Sequence, residues 1–316
     1  MNTQPILVSS RANARVKQLR AAFAGHARLS GGLVAIEGEN LLREALDSGL
    51  PLKTIFLSER ISPPAWLPRG VELMVLAEEV FASAVDTQHP QGIAALLVPP
   101  VWKIESAFPA NDNAALLLIA AGLQDPGNLG TLIRSGEAFG ATAVLTTAGT
   151  VSEWNQKALR ASAGSVFRVP VVQVSAEQLI TLKSRGVRLL AAVAPNSDSD
   201  IASKANSEVT RKARVVLPAP ETDLACACAL MIGNEGAGLA DEFLSLADAR
   251  ITIPTPGRVE SLNAAVAGSL LLYEASRQRE ASRQREASRQ REASRQREAS
   301  RQRTSNLEPR TSNLLP

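Results

Sequence analysis

Three segments in the second half of the chain combine reactive side chains with glycine and proline. Each adjoins an apolar run of the length of a buried strand, so its polar residues lie where a strand ends. Glycine lets another molecule come close to the backbone, and proline interrupts the hydrogen bonding of a strand. Polar turns between buried elements leave amide and carbonyl groups in need of partners, and a bound ligand can supply them. The segments are QDPGNLGTLIRSGEAFG (124–140), MIGNEGAGL (231–239) and ITIPTPGRVESLNAAVAGSLLLYE (251–274).

The first segment predicts a turn at Pro126-Gly127, with Asn128 placed to cap the helix that follows. On this helix Arg134 falls roughly opposite the apolar side. An arginine near the carboxyl ends of parallel strands lies where α/β sheets bind their ligands. The alternative is a structural contact on the helix surface, with Glu137 or Ser135 as the partner of the arginine.

The other two segments also combine a break in regular structure with polar groups. Three glycines surround Glu235 after an apolar strand, which lets a ligand approach the backbone, unless the carboxylate only caps its own loop. Their spacing is GxxGxG, and neither a GxGxxG nor a Walker A motif occurs in the chain. In the third segment Pro254 and Pro256 bend the chain between a short strand and an apolar helix from Ala264. That helix is apolar all round and is therefore expected to be buried; an ordinary strand–turn–helix is the alternative to a ligand site.

Composition bounds the fold and excludes some classes of protein. The chain has 316 residues, of which 45% are apolar and 3% aromatic, so two domains with aliphatic cores are possible. No run approaches the ~18 apolar residues of a membrane span, and the start lacks the features of a signal peptide. The only cysteines, Cys226 and Cys228, have no metal-ligating neighbours and are too close together for a relaxed disulfide. We therefore expect a cytoplasmic protein with reduced thiols and neither a metal nor a membrane partner.

The first 100 residues alternate strand and helix patterns, which predicts a small α/β domain. Ser9 and Ser10 are placed to cap a helix over 11–23 that has a basic side. A basic helix face suits RNA, although it can equally be a solvated surface. The candidate RNA-binding residues are Arg11, Arg15, Lys17 and Arg20.

Residues 101–113 follow the pair Pro99-Pro100 and contain Pro109 and an Asn-Asp-Asn cluster, so they are interpreted as a linker. Strand and helix patterns alternate again over 114–276, which predicts a mostly parallel sheet with helices on both faces. From Glu274 the unit EASRQR occurs five times without change. This low-complexity tail, counted from 277 to 316, has no apolar stripe and is expected to bury nothing. It carries the basicity of the chain, since 274–316 has a net charge of +5 and 1–273 a net charge of −2. An expanded repeat without function and a weak attraction to RNA are the two interpretations.

In order, content and spacing, the three segments resemble motifs 1, 2 and 3 of the SpoU/TrmH family of RNA ribose 2′-O-methyltransferases, in the SPOUT class. The resemblance covers 114–276. Residues 1–100, through SSRANARVKQLR and AIEGENLLREAL, resemble the substrate-binding domain of that family, which is similar to the ribosomal protein L30e. This resemblance implies a deep trefoil knot, S-adenosylmethionine bound in a bent conformation, and an obligate homodimer with the site at its interface.

The resemblance also implies roles for single residues. Arg134 matches the arginine that activates the ribose hydroxyl, and Asn128 matches its asparagine partner. Glu235 matches the motif 2 glutamate. The serine and asparagine of motif 3 match Ser261 and Asn263. Positions whose backbone surrounds the adenosine part of the cofactor match Gly233, Ile253 and Leu262.

The residue types are consistent with methyl transfer to a hydroxyl, in which positioning dominates. The segment 114–276 contains no histidine, and arginine is a poor base because its pKa exceeds about 12. Arg134 is therefore interpreted as an electrostatic clamp, with a deprotonated arginine as the alternative. The expected substrate is 23S rRNA, with tRNA as the nearest alternative. A non-catalytic RNA-binding or ribosome-assembly factor is the competing class, and a nucleotide-binding oxidoreductase lacks its glycine fingerprint.

Overall fold

A computed structural model of the chain describes residues 7–26, 31–109, 114–195 and 216–305, with side chains as far as 297. Part of the predicted linker (110–113) and the end of the tail (306–316) lie outside these ranges. The described strands fall into two sheets, one before the linker and one after it. No helix in these ranges is long and apolar enough to cross a membrane.

The smaller sheet has five strands in the order β1-β4-β3-β5-β2 and is mixed, because β1, β3 and β4 run parallel while β5 runs antiparallel to its neighbours. Alternating strand and helix patterns were predicted here, and the four longer strands of this sheet agree with that prediction. The two-residue first strand was not predicted, since it is too short to show a pattern. The strands are β1 (Leu7–Val8), β2 (Val34–Glu37), β3 (Leu52–Ser58), β4 (Glu72–Leu76) and β5 (Ile93–Leu97).

The larger sheet has seven strands, all parallel, in the order β10-β12-β9-β11-β6-β7-β8. The predicted parallel sheet is therefore confirmed. Whether the chain is knotted does not follow from the strand order, and the knot stays a prediction. The strands are β6 (Leu116–Ala120), β7 (Ala143–Thr146), β8 (Val171–Gln173), β9 (Arg188–Ala192), β10 (Val216–Pro218), β11 (Cys228–Ile232) and β12 (Ala249–Thr252).

Helices connect the strands and cover both faces of the larger sheet. Alternate residues of β6 belong to two different apolar clusters, so this strand is buried on both sides, as its continuous apolar sequence predicts. Both cysteines are free, and burial raises the pKa of the Cys228 thiol to about 11. The helices are α1 (Ala14–Phe23), α2 (Glu39–Asp47), α3 (Glu78–Ala82), α4 (Pro126–Ala138), α5 (Gln156–Ser162), α6 (Ala176–Ser184), α7 (Asp241–Leu246) and α8 (Ala264–Ser305).

A polar junction joins the two sheets. The buried side chain of Gln156, at the start of α5, donates to the carbonyl of Ala35 in β2 at 2.9 Å. Arg168 donates to Glu44 of α2 at 2.6 Å and to Glu137 of α4 at 2.5 Å. The hydrogen bond from Arg168 lowers the pKa of Glu137. One arginine thus links α4 of the larger sheet to α2 of the smaller one.

The predicted cap of α1 and one expectation about the repeats were wrong. Helix α1 is capped by Asn13, whose side-chain oxygen accepts from the amide of Arg15 at 2.8 Å, and not by the serine pair at 9–10. The last helix continues through the repeats to Ser305, and the first repeat unit packs on the body of the protein. Within that unit Ala275 is fully buried, so the expectation that the repeats bury nothing fails there.

Candidate active site

The carboxyl ends of β9, β11 and β12 open onto a cavity of about 390 Å³. The loops after β11 and β12 form most of its wall, which is largely apolar. Its volume lies in the usual range of small-molecule sites, about 300–1,000 Å³. The three predicted cofactor residues, Gly233, Ile253 and Leu262, all line it, together with Glu235 and Ser261.

The loop after β11 folds back on itself. Asn234 and Gly238 exchange two backbone hydrogen bonds of 2.9 Å each. A Cβ atom on Gly233 would lie 2.2 Å from the carbonyl carbon of Gly238, and Gly238 itself has a φ of +69°. We predicted that these glycines let a ligand approach, but at position 233 the close approach is between two parts of the loop.

Asn234 holds this loop against the loop that follows β6. Its side-chain amide donates to the carbonyl of Gly122 at 3.1 Å. Its side-chain oxygen accepts from the backbone amides of Gly236 and Ala237, at 2.9 and 3.1 Å. Asn234 was not among the predicted site residues, although asparagine is a typical turn residue whose side chain bonds the backbone two positions later.

Asp125, not Asn128, caps helix α4. Its carboxylate accepts from the backbone amide of Asn128 at 2.9 Å, and Pro126 occupies the first helical position. Lys157 of α5 binds the same carboxylate at 2.8 Å. The hydrogen bond from Lys157, followed by that from the Asn128 amide, lowers the pKa of Asp125. The side chain of Asn128 is therefore free to take part in the site.

The side chain of Asn128 joins the three segments. Its amide donates to Glu235 at 2.7 Å, and its oxygen accepts from the side-chain amide of Asn263 at 3.1 Å. The oxygen of Asn263 accepts in turn from the backbone amide of Ala265 at 2.9 Å, which caps the start of α8. We call Asn263, Asn128 and Glu235 the amide chain. It contradicts the alternative that Glu235 only caps its own loop, since its partner is 107 residues away.

Arg134 is exposed on the surface of helix α4. It forms no hydrogen bond or ion pair with any residue that the structure describes. Both of its alternative partners are engaged elsewhere, because Ser135 shares a 2.7 Å hydrogen bond with Ser269 and Glu137 binds Arg168. Arg134 follows Asn128 by six residues, which places it about 9 Å along the helix axis and roughly 120° around it.

The four predicted RNA-binding residues do not form one free surface, and Arg11 precedes α1, which begins at Ala14 and not at residue 11. Arg15 pairs with Glu72 at 3.0 Å, and Arg20 donates to the carbonyl of Ser83 at 3.0 Å. Arg11 and Lys17 are exposed and have no ionic or hydrogen-bonded partner within the described ranges. Of the predicted RNA-binding residues, these two are the ones available to a phosphate.

Comparison with known families matches both halves of the chain. Residues 115–273 match the SpoU rRNA methylase family, and residues 13–95 match the MRM3-like substrate binding domain. The 23S rRNA (guanosine(2553)-2′-O)-methyltransferase RlmP of Bacillus subtilis is 33% identical, over 84% of this chain and 97% of its own. The human mitochondrial rRNA methyltransferase 3 is 30% identical, over 78% of this chain and 68% of its own.

Solved structures agree with this assignment. An RNA 2′-O ribose methyltransferase is 32% identical with a TM-score of 0.68, covering 87% of this chain and 99% of that one. The SpoU methyltransferase AviRb of Streptomyces viridochromogenes, solved with its cofactor AdoMet, is 25% identical with a TM-score of 0.69, covering 84% and 98%. With its three segments joined at one cavity and both halves matched, the chain belongs to the SpoU rRNA methylase family.

Proposed function

We propose that the protein transfers a methyl group from S-adenosylmethionine to a ribose 2′-hydroxyl of RNA, in the cytoplasm. The amide chain carries this proposal, because it bonds the three family segments to one another beside a cavity that its member Glu235 lines. Such fixed geometry is what methyl transfer needs, since the reaction depends on alignment more than on a strong base.

The cavity fits the cofactor in size and chemistry. The apolar side chains of Ile253 and Leu262 suit the adenosine part, and the backbone around Gly233 offers polar groups to its base and ribose. When bound, S-adenosylmethionine supplies an electrophilic methyl group on a positively charged sulfur. Glu235 and Ser261, both exposed at this cavity, are placed to orient the polar end of the cofactor or the incoming ribose.

Arg134 is the residue to which we assign the substrate hydroxyl. During transfer the ribose oxygen forms a bond to the methyl carbon, the bond from that carbon to sulfur breaks, and the hydroxyl proton passes to water. A guanidinium near the oxygen or its neighbouring phosphate stabilises the negative charge that develops. Arg134 suits this role because its guanidinium is exposed and unpaired among the described residues.

The proposed substrate is 23S rRNA. The name of the Bacillus subtilis relative specifies this RNA, and the relatives in mitochondria are named as rRNA methyltransferases. Residues 1–100, which we propose as a substrate-binding domain joined through 101–113 to the methyltransferase domain, present Arg11 and Lys17 to the RNA backbone. Methylation of tRNA is the alternative.

We also propose that two copies of the chain form the working enzyme. Helix α8 exposes Val266, Leu270 and Tyr273 by 43 to 53%, and their spacing places them on one side of the helix. Exposed apolar residues in a row on a helix suit a protein interface. Because this stripe begins one turn after Asn263, a second copy bound there would lie beside the amide chain.

An Arg134→Ala variant tests the catalytic proposal. We expect it to bind S-adenosylmethionine with parental affinity and to lose at least about a hundredfold in methyl transfer, the size of effect that removing one charge-stabilising donor has. Calorimetry measures cofactor binding, and transfer of labelled methyl to 23S rRNA transcripts measures activity. Arg134→Lys is the matched control: it retains the charge without the forked donors and should recover activity only in part. Parental activity in Arg134→Ala would disprove the role.

A further inference from the structure

The distal part of helix α8 extends away from the body of the protein. The helix has 42 residues and a length of about 63 Å. Among the side chains that the structure describes, Ala281 is the last half-buried one, and every side chain from Ser282 to Arg297 is exposed. We call residues 282–305 the repeat helix. It extends roughly 36 Å beyond the last contact with the body.

The repeat helix is strongly basic. It contains eight arginines and three glutamates, for a net charge of +5, whereas residues 1–273 have a net charge of −2. In the earlier units Glu274 binds Arg277 at 2.7 Å and Glu280 approaches Arg283 at 3.4 Å. Further out, Arg285 and Arg291 form no ion pair or hydrogen bond with the described residues, and their guanidinium groups are exposed to solvent.

The repeat length determines how these charges are arranged. Six residues at about 100° each turn the helix by 600°, so successive units are rotated by roughly 120°. Arginines therefore lie on all sides of the helix, and no side is apolar. A coiled coil needs an apolar seam, and a helix on a membrane surface needs an apolar face. Neither a second helix nor a membrane is therefore a suitable partner for the repeat helix. A polyanion is suited, because it can approach from any direction.

The direction of the repeat helix is fixed relative to the active site. Helix α8 begins at the cap provided by Asn263, a member of the amide chain. Where it leaves the body, Arg279 donates to the carbonyls of Leu224 at 3.0 Å and Ala115 at 3.0 Å. The same continuous helix therefore connects the cavity with the basic extension.

We propose that the repeat helix is a second RNA-binding element, which contacts phosphates of the substrate RNA at a distance from the methylated nucleotide. The proposal rests on the proposed function for the identity of the RNA. Contacts of this kind are independent of sequence and depend on salt, because each phosphate that is neutralised releases counterions.

The test compares the full chain with a variant in which Arg285, Arg289, Arg291 and Arg295 are all changed to Gln. Binding to in vitro transcribed 23S rRNA is measured over a range of KCl concentrations. We expect the variant to bind about tenfold or more weakly near 0.15 M salt, and the slope of log affinity against log salt to decrease by about 2 to 3. Its cofactor affinity and its rate at saturating RNA should not change.

Matched variants separate charge from helix formation. Changing the same four arginines to Lys keeps the charge and should retain the affinity, whereas Glu286→Gln with Glu292→Gln should increase it. Equal affinity and equal salt slope for the full chain and the four-Gln variant would overturn the proposal. The proposal would also fail if the four-Gln variant bound RNA as tightly as the full chain and lost only binding to anionic lipid vesicles.

The outcome is distinguishable from failure of the proposed function. If the full chain methylates RNA but the four-Gln variant binds RNA equally well, only the repeat-helix proposal is wrong. If the salt slopes differ as expected while no methyl transfer to any RNA is detected, only the proposed function is wrong.

Discussion

Asn128 is the residue at which the three segments of the site meet. An amide side chain offers both a donor and an acceptor in one fixed plane. The amide of Asn128 donates to Glu235, and its oxygen accepts from Asn263. One side chain therefore orients both the loop after β11 and the loop after β12. Asn263 caps α8 with its side-chain oxygen, which does not bond Asn128. A change at position 128 therefore leaves this cap in place and should affect the active site more than the fold.

We expect Asn128→Asp to lower kcat/KM for methyl transfer by about 10- to 100-fold, the equivalent of one hydrogen bond to a charged group. The new carboxylate can still accept from Asn263, but it faces the carboxylate of Glu235 without a proton between them. Initial rates at varied RNA and cofactor concentrations measure the loss, and the melting temperature should change little.

A second substitution tests the geometry of this contact. Adding Glu235→Gln to Asn128→Asp places an amide donor opposite the new carboxylate, and activity should recover in part. Glu235→Gln alone, in the parental chain, is the matched control. If the double variant is as impaired as the two single changes added together, the contact does not determine activity.

At this scale the sequence predicts the identity of the site residues better than their bonds. The resemblance identifies Asn128, Glu235 and Asn263, yet nothing local predicts that residues 107 and 135 positions apart are bonded. Asn128 was predicted to cap α4 because asparagine is a favoured residue at a helix N-cap. Pro126, which prefers the first helical position, indicates Asp125 instead.

Among the elements, helix α8 departs most from its prediction. Exact repetition marks residues 274–303 as one low-complexity unit, which hides the difference between the first copy and the rest. In the first copy, Gln278 accepts from the backbone amide of Leu224 at 2.9 Å, and Arg279 donates to the carbonyl of Cys226 at 2.5 Å. These partners lie more than fifty residues earlier, and periodicity carries no information about them.

Two truncations should therefore behave differently. Removing 282–316 keeps the contacts of Gln278 and Arg279, and the melting temperature should stay within about 2 °C of the parental value. Removing 278–316 also deletes both residues and leaves buried carbonyls without donors. We expect a loss of about 3 kcal/mol and a melting temperature lower by roughly 6–12 °C. Differential scanning calorimetry measures both.

Arg279→Met in the full chain isolates the contribution of the guanidinium from that of the tail. It should reproduce most of the loss seen on removing 278–316. The anchoring role is wrong if this variant and both truncations melt together with the parental protein.

For the whole molecule, alternation of strands and helices was enough to predict the parallel sheet of the second half and the small α/β unit of the first. The contact between the two sheets was not predictable. It includes the bond from Gln156 to Ala35, 121 residues earlier, and the bond from Arg168 to Glu44, 124 residues earlier. The start of α8 was expected to be buried because its sequence is apolar all round, and in a single chain Leu270 is 43% exposed; burial by a partner subunit stays a prediction.

The proposed dimer has a consequence for catalysis that mixing experiments can test. Arg134 forms no hydrogen bond with the amide chain of its own subunit and follows Asn128 by about 9 Å along α4, so we expect the arginine of one copy to serve the cavity of the other. Arg134→Ala and Asn263→Ala should each be inactive as pure dimers. After unfolding and refolding together in equal amounts, half of the dimers are mixed, and each mixed dimer has one intact site. About a quarter of the parental activity should return.

A variant that disrupts the exposed apolar stripe of α8 (Val266, Leu270 and Tyr273) provides the control. Leu270→Asp places a charge at the centre of the proposed interface, which should shift the protein to monomers in sedimentation experiments and abolish the recovery. If the mixed preparation stays inactive while the parental protein refolds to full activity, each site is complete within one chain. Arg134 must then reach its own cavity, which would require α4 or the loop before it to move when RNA binds. Activity of the monomeric Leu270→Asp variant at the parental rate would lead to the same conclusion and would remove the need for a dimer.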